Sequence, residues 1–260
     1  MRLSILATPA AIASLLLANL AKAGPVLEET LEKNFPVEPQ ATLSIQNTDG
    51  SIRIYGSDSK EVKVQAIKRS YRAERLKEIA INISAEPGKI SIETQYPPKT
   101  KWGLSDRSGT VDYIILLPWS CEVTRADLAN GELLVEGMRG GKVRASLGSG
   151  RLFSHNCFSD LDINVGNGAM DIGYDWWEER KFSVSAQITN GNTRAFFPGD
   201  AAFHLIAESV NGNVASDFTE KENRQSGGVS KIDMLIGKAK QIDVKLQAVN
   251  GSIKITEAGP

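Results

Sequence analysis

The sequence predicts an all-β chain wound as a right-handed β-solenoid-like stack, one domain built of rungs about 20 residues long. Three observations predict it. First, two alternating apolar and polar runs flank an Asn-Gly step in Val244–Ile255. Alternation marks a strand with one buried face, and Asn and Gly both tolerate the positive φ of a tight corner. Second, the pattern recurs around Gly50, Gly131, Gly150, Gly168, Gly191 and Gly212 as well as Gly251. Third, one register fits every copy. At the slots seven, five and three residues before each glycine and two and four after it, 29 of 35 residues are apolar. The other six, Asn47, Thr124, Ser154, Thr193, Ser209 and Ser216, are uncharged. Charge falls on the interleaved positions, among them Arg125, Asp127, Glu132, Arg144, Arg151, Asp162, Asp171, Lys245 and Lys254. A slip of one residue would place those charges inside, so the pattern fixes the register.

The residues before the glycines are Asp49, Asn130, Ser149, Asn167, Asn190, Asn211 and Asn250, all small and polar. The glycines from Gly131 to Gly212 are spaced by 19, 18, 23 and 21 residues, and 39 separate Gly212 from Gly251. Such periods mark supersecondary units that bury their faces only by stacking. Stacked asparagines satisfy one another as an amide ladder, the role expected of Asn130, Asn167, Asn190, Asn211 and Asn250. A β-sandwich of Asn-Gly hairpins is the alternative: a two-residue turn at Asn250-Gly251 pairs Ala248 with Ile253 and Leu246 with Ile255. The solenoid is preferred because a flat meander needs a covering layer, and the chain has little helix to supply one.

Taken in order, residues 1–23 read as a signal peptide: Arg2, an apolar Leu3–Leu20 run, and an Ala21-Lys22-Ala23 cleavage site. No cysteine follows that site, which disfavours a lipid anchor, and no later apolar run reaches the roughly 20 residues needed to span a bilayer. Residues 24–40 are a lead-in with an edge strand through Leu31, Lys33, Phe35 and Val37, its pairing limited by Pro36 and Pro39. Residues 41–256 form the repeat domain and 257–260 a fraying tail. Within the domain, strands are predicted at Leu43–Ile54, Val62–Ile67, Ile79–Ile83, Lys89–Thr94 and Val111–Leu117, and a short charged helix over 71–79. Residues 96–110 form the longest loop. Val229–Leu235 reads as a degenerate unit that would explain the doubled last spacing.

Together Leu43–Ile54, Val111–Pro118, Ser209-Val-Asn-Gly-Asn-Val and Ala248-Val-Asn-Gly-Ser-Ile resemble a bacterial putative-adhesin family, a domain of unknown function rich in V-N-G-D-I repeats. The resemblance spans residues 40–256. It implies a β-solenoid-like exported or envelope domain. The chain departs from the family in carrying Ser149 where Asn is usual and an insertion over Asp175–Lys181.

Function classes narrow by exclusion. With 30 basic and 31 acidic residues interspersed, net charge is −1 and no basic stripe points to nucleic acid. His155 and His204 are far apart and no C-x-x-C spacing exists, so neither zinc nor any other cofactor is implied. Gly148-Ser149-Gly150 lacks the strand-to-helix frame of a nucleophile turn. Gly166–Asp171 is a single copy where calcium β-rolls need tandem ones. Cys121 and Cys157 belong to units two apart, about 9.6 Å at about 4.8 Å per strand, beyond the roughly 7 Å a disulfide allows. Asp160, Asp162, Asp171 and Asp175 are the acids from which a polysaccharide lyase or hydrolase would be built. The candidate ligand site is Asp175-Trp176-Trp177, where adjacent indoles in a charged insertion suit a sugar or a partner's hot spot; one ring covering the stack's edge is the structural alternative. Trp102 is a second candidate. The functional expectation is a non-enzymatic envelope or surface domain that binds protein or glycan, with the lyase or hydrolase and a ligand-free assembly scaffold as rivals.

Overall fold

Apolar residues at every second position build sixteen strands and one short helix among the described residues. The computed structural model describes residues 25–97, 109–218, 224–226, 228–238 and 242–258; the predicted signal peptide and Trp102 lie outside them. In order the elements are β1 (Leu27–Pro36), β2 (Thr42–Ser57), β3 (Glu61–Ser70), α1 (Ala73–Glu78), β4 (Ala80–Glu86), β5 (Lys89–Gln95), β6 (Thr110–Pro118), β7 (Glu122–Glu136), β8 (Lys142–His155) and β9 (Asp160–Gly173). There follow β10 (Ser183–Pro198), β11 (Phe203–Asn211), β12 (Val214–Ser216), β13 (Arg224–Ser226), β14 (Val229–Ile236), β15 (Asp243–Asn250) and β16 (Ile253–Ala258). They form one mixed sheet. The last strand runs through Ala258, past the predicted start of the tail, by pairing with β10. Among the described residues no helix is long and apolar enough to cross a membrane.

The glycine units pair in parallel and in register. Gly50 lies opposite Gly131, Gly131 opposite Gly150, Gly150 opposite Gly168, and Gly168 opposite Gly191. The Asn-Gly steps are bends inside long strands, not hairpin tips. Ala248 lies opposite Ile188 and Ser209, so the hairpin pairing of Ala248 with Ile253 does not occur. Each strand thus has two arms, and the buried positions switch phase by one residue across the glycine. That switch turns both arms toward one interior. Of the 35 slots read from the sequence, all but Thr124 and Ser216 are buried, Ile163, Val165 and Leu246 among them. Thr124 is displaced by a bulge: Leu43 faces Val123 while Ser44 faces Arg125, so Val123 takes the inward place. The Thr124 hydroxyl instead donates to the Leu43 carbonyl at 3.0 Å.

Six corner glycines, at 50, 131, 150, 168, 191 and 251, have φ between 125° and 150°, a region closed to L-residues with a β-carbon. Stacking closes it a second time, because a β-carbon at Gly131, Gly150, Gly168 or Gly251 would fall on the carbonyl oxygen of the glycine one rung below. Gly212 meets the same crowding from Gly251 without the positive φ. Beside this column run the amides. Asn190 donates to Asn167 at 2.9 Å, Asn250 to Asn190 at 2.8 Å and Asn211 to Asn250 at 2.9 Å. Asn130 donates to Asp49 at 2.9 Å. Ser149, placed between Asn130 and Asn167 by register, separates the two runs.

Two arrangements depart from the sequence reading. The Gly251 unit does not follow the Gly212 unit in space; β15 lies between β10 and β11, and β16 between β10 and β12. And β14 is no degenerate unit, since it runs antiparallel to β11 and carries no corner. The opposite end is finished in a similar way. There β5 and β6 continue the two arms of β2 in parallel, and antiparallel β4, β3 and β1 close them off. Buried side chains of both arms, with Cys121, Met138, Cys157, Phe158, Tyr174, Phe182 and Ala201 from the returning segments, make one continuous core. Cys121 and Cys157 are both free and buried, and burial pushes each thiol up to about 11.

His204 fastens the inserted unit. Its ring nitrogens face Asp233 of β14 at 2.9 Å and Asp243 of β15 at 3.3 Å. The bond to Asp233 is the main reason its pKa is raised from 6.5. Stability from a raised histidine pKa is fully present below its ordinary value and is lost as pH rises through the raised one. His204→Gln should therefore lower the melting temperature at about pH 5.5, and the gap from the parent should close by about pH 9; thermal melts across that range check it. Gly168→Ala should cost at least about 3 kcal/mol, torsional strain adding to the backbone collision. Gly228→Ala, at φ +89° with nothing within 4 Å of the added carbon, should cost about 1 kcal/mol. Urea unfolding of the two variants measures the difference.

Candidate functional site

Between the second arm of one unit and the first arm of the next, the chain runs through a segment that belongs to neither arm. The crossing after β8 takes residues 156–159; the one after β9 takes 174–182, the predicted insertion. Its two tryptophans part ways. Trp177 turns inward against Tyr174 (centroids 5.5 Å apart), Phe182 (5.5 Å) and Phe203 (5.4 Å). Tyr174 in turn stacks on Phe197 at 5.6 Å and donates its hydroxyl to the Cys157 carbonyl at 2.8 Å. Trp177 is thus the ring that covers the edge, and its indole N–H is buried without a hydrogen-bond partner.

Trp176 turns outward and is 45% exposed, as is Trp119 just after β6. Between them lies the Arg139 guanidinium, 5.5 Å from the Trp119 ring, 5.6 Å from Phe158 and 5.9 Å from Trp176. Backbone hydrogen bonds set this spacing, from Arg139 N–H to the Trp119 carbonyl (2.8 Å) and from Phe158 N–H to that of Met138 (2.9 Å). Glu178 fixes the cation, accepting from Arg139 Nε at 3.1 Å and Nη2 at 2.8 Å, and accepts from the Trp176 indole at 3.1 Å. Burial alone would raise the Glu178 carboxyl, but the donors from Arg139 and Trp176 outweigh it and hold it below its ordinary value. The result is a surface shelf of two indoles with a cation held between them, a surface able to stack on a flat group and to offer it charge-assisted hydrogen bonds.

Asp175 belongs to the shelf's border. Asn156, held at φ +50°, donates to its carboxylate at 3.0 Å and accepts from its backbone N–H at 2.8 Å. Those donors, first from Asn156 and then from His155, lower its pKa. Sequence reasoning missed Trp119 and Arg139. A signal existed: Arg139, Phe158 and Trp176 each stand eight residues after a corner glycine, a column outside the alternating arms.

The four acids considered for polysaccharide cleavage do not converge. Asp160 and Asp162 lie on the first arm of β9, Asp171 and Asp175 beyond its corner. Asp160 accepts from Ser183 at 2.9 Å, Asp162 faces Arg144 at 3.6 Å, and Asp175 is bound as above. Asp171 sits on the outer face, yet Arg194 covers it through two hydrogen bonds of 2.6 and 2.9 Å.

No protein-family profile and no curated protein matches the chain. Solved structures do. A putative cell adhesion protein from Clostridium sporogenes is similar with TM-score 0.54 and 18% identity, over 88% of this chain and 100% of that one. A putative adhesin from Bacteroides fragilis has TM-score 0.28 and 11% identity over 87% and 97%. A putative lipid binding protein from Parabacteroides distasonis has 0.26 and 9% over 87% and 96%. The first is similar in fold; the other two superpose too loosely to inform it.

Trp177→Ala should destabilise the fold by about 3 kcal/mol, as for a packed aromatic removed from a core. Trp176→Ala should cost under about 1 kcal/mol. Calorimetric melting of the two single variants separates the inward ring from the outward one.

Proposed function

We propose that this chain is an exported, non-enzymatic interaction domain of the bacterial envelope, a β-solenoid of the putative-adhesin kind that binds an envelope protein or glycan through the Trp119–Arg139–Trp176 shelf. The observation that carries the reading is the outward pair of indoles. Trp and Arg are the residues that most often anchor interfaces, and here two half-exposed indoles share one patch with a guanidinium. The in-register glycine column supports the solenoid, the handedness following the usual right-handed crossover of parallel strands. The fold similarity to a putative cell adhesion protein and the leader-like residues 1–23 support the surface role and the export.

The test compares the mature chain with a Trp119→Ala/Trp176→Ala double variant, both immobilised and exposed to solubilised envelope fractions. Capture by the parent should fall at least about tenfold in the variant, as for loss of a hot spot. Pretreating the fractions with protease or with periodate assigns the captured ligand to protein or to glycan. Equal capture by parent and variant would remove the shelf from the function.

A further inference from the structure

On the outer face of the second arms, one side chain is missing from a filled column. The register sets Glu136, His155, Gly173 and Phe196 side by side on β7, β8, β9 and β10. The neighbouring column holds Leu134, Phe153, Asp171 and Arg194. Gly173 contributes no side chain, and the His155 ring leans to within 3.3 Å of where its β-carbon would stand. Beside them lies a half-open depression of about 350 Å³ lined by Phe153, His155, Asp171, Gly173, Arg194 and Phe196. Its walls are mostly ring and backbone; its rim is ionic. Arg194 grips Asp171 with Nε and Nη2 and lies 5.9 Å from the Phe196 ring. Arg151, 3.8 Å from Asp171, lies 5.3 Å from the Phe153 ring. The imidazole of His155 is held between Glu136 at 3.5 Å and Asp175 at 3.1 Å. The depression is thus a shallow slot with aromatic sides and a charged rim.

We infer that this slot is a subsite for one neutral hexopyranose unit of a glycan, an inference that rests on the binding-domain reading and names its ligand. The size is that of a small ligand pocket, at the low end of the range for such sites. A pyranose presents a flat C–H face and a rim of hydroxyls, which matches aromatic walls inside an ionic edge. Among the described residues, Arg194 Nη1 makes no hydrogen bond, and with the Glu136 carboxylate it offers a donor and an acceptor to hydroxyls. No carboxylate in or beside the slot is without a partner, since Glu136 and Asp175 face His155 and Asp171 faces Arg151 and Arg194, so a charged sugar would have to displace one of these contacts. An apolar side chain from a protein partner would strip water from these ions and return no hydrogen bonds. Asp175 joins the slot to the shelf: it bonds His155 on one side and precedes Trp176 on the other.

The experiment titrates the isotope-labelled full chain with methyl glucoside, methyl galactoside, methyl mannoside and methyl N-acetylglucosaminide. Methyl glucuronide, glucosamine and N-acetylphenylalanine amide serve as contrasts, and backbone amide shifts are the readout. A neutral hexoside should give saturable shifts centred on Gly173, Arg194 and Phe196. Gly173→Val, which narrows the slot, and Phe196→Leu, which keeps an apolar side chain but removes the ring, should each weaken that binding at least tenfold. The Trp119→Ala/Trp176→Ala variant should leave it unchanged. Absence of saturable shifts with every neutral hexoside, equal binding of the charged sugars, preference for the aromatic amide, or full binding by Phe196→Leu would each overturn the assignment. Envelope capture that still depends on Trp119 and Trp176 would then show that the slot has failed and the shelf has not.

Discussion

At the corner of each rung, one glycine carbonyl occupies the space that a β-carbon would need on the glycine above. This contact of backbone on backbone is the constraint from which the remaining geometry follows. It requires glycine twice over, by torsion and by stacking, and so aligns the rungs at one point along their length. With that point fixed, alternation decides the rest: apart from the bulged Thr124, inward slots fall above inward slots, and the amides of Asn167, Asn190, Asn250 and Asn211 fall one above another. The register needs no further device, and where one rung carries an extra residue the bulge at Thr124-Arg125 absorbs it before the next corner.

In-register stacking has an electrostatic consequence. Equivalent slots on adjacent rungs lie about 4.8 Å apart, so a column of like charges would repel itself and columns must mix signs. The outer faces do this. Arg53 lies beside Glu132, Asp171 beside Arg194, and Asp162 beside Arg144. Most of these pairs are half in water and contribute little singly. They keep the columns neutral instead. Four acids close in sequence make no acidic patch because each is held by a different neighbour: Asp160 by Ser183, Asp162 by Arg144, Asp171 by Arg194 and Asp175 by Asn156.

The interior was legible because alternation has one meaning in a strand with one wet face. Asn47 shows how literal the pattern is: a polar residue in an inward slot stays inside and donates to the Val111 carbonyl at 2.8 Å. The spatial order of the units was not legible. All share the same slots, so nothing local states that Gly251 stacks on Gly191 rather than on Gly212. Val229–Leu235 misled for a related reason, since alternation is blind to strand direction and an antiparallel cap looks like a further rung. Of the site, the insertion and its exposed tryptophan could be read, but not which of two adjacent indoles faces out. In a crossing segment no period links a residue to a face. Arg139 lay hidden because its column can be seen only by counting from the corners, and Trp119 because β6 carries Val111 where the other units carry the corner glycine.

The late unit placed between earlier ones bears on how the molecule is assembled. A chain emerging from its N-terminus can add rungs one upon another as far as β10, and there it must wait. The strands next in sequence, β11 and β12, have their places two layers away, and the intervening layer, β15 and β16, comes after both of them in the chain. Until it arrives the edge of β10 is bare, and β11 carries the same slots with which to occupy it wrongly. The hydrogen bond from the Val214 amide to Ser230, 3.1 Å long, ties β12 to the β14 cap. Whatever the order of events, β15 and β16 must enter between β10 on one side and β11 and β12 on the other.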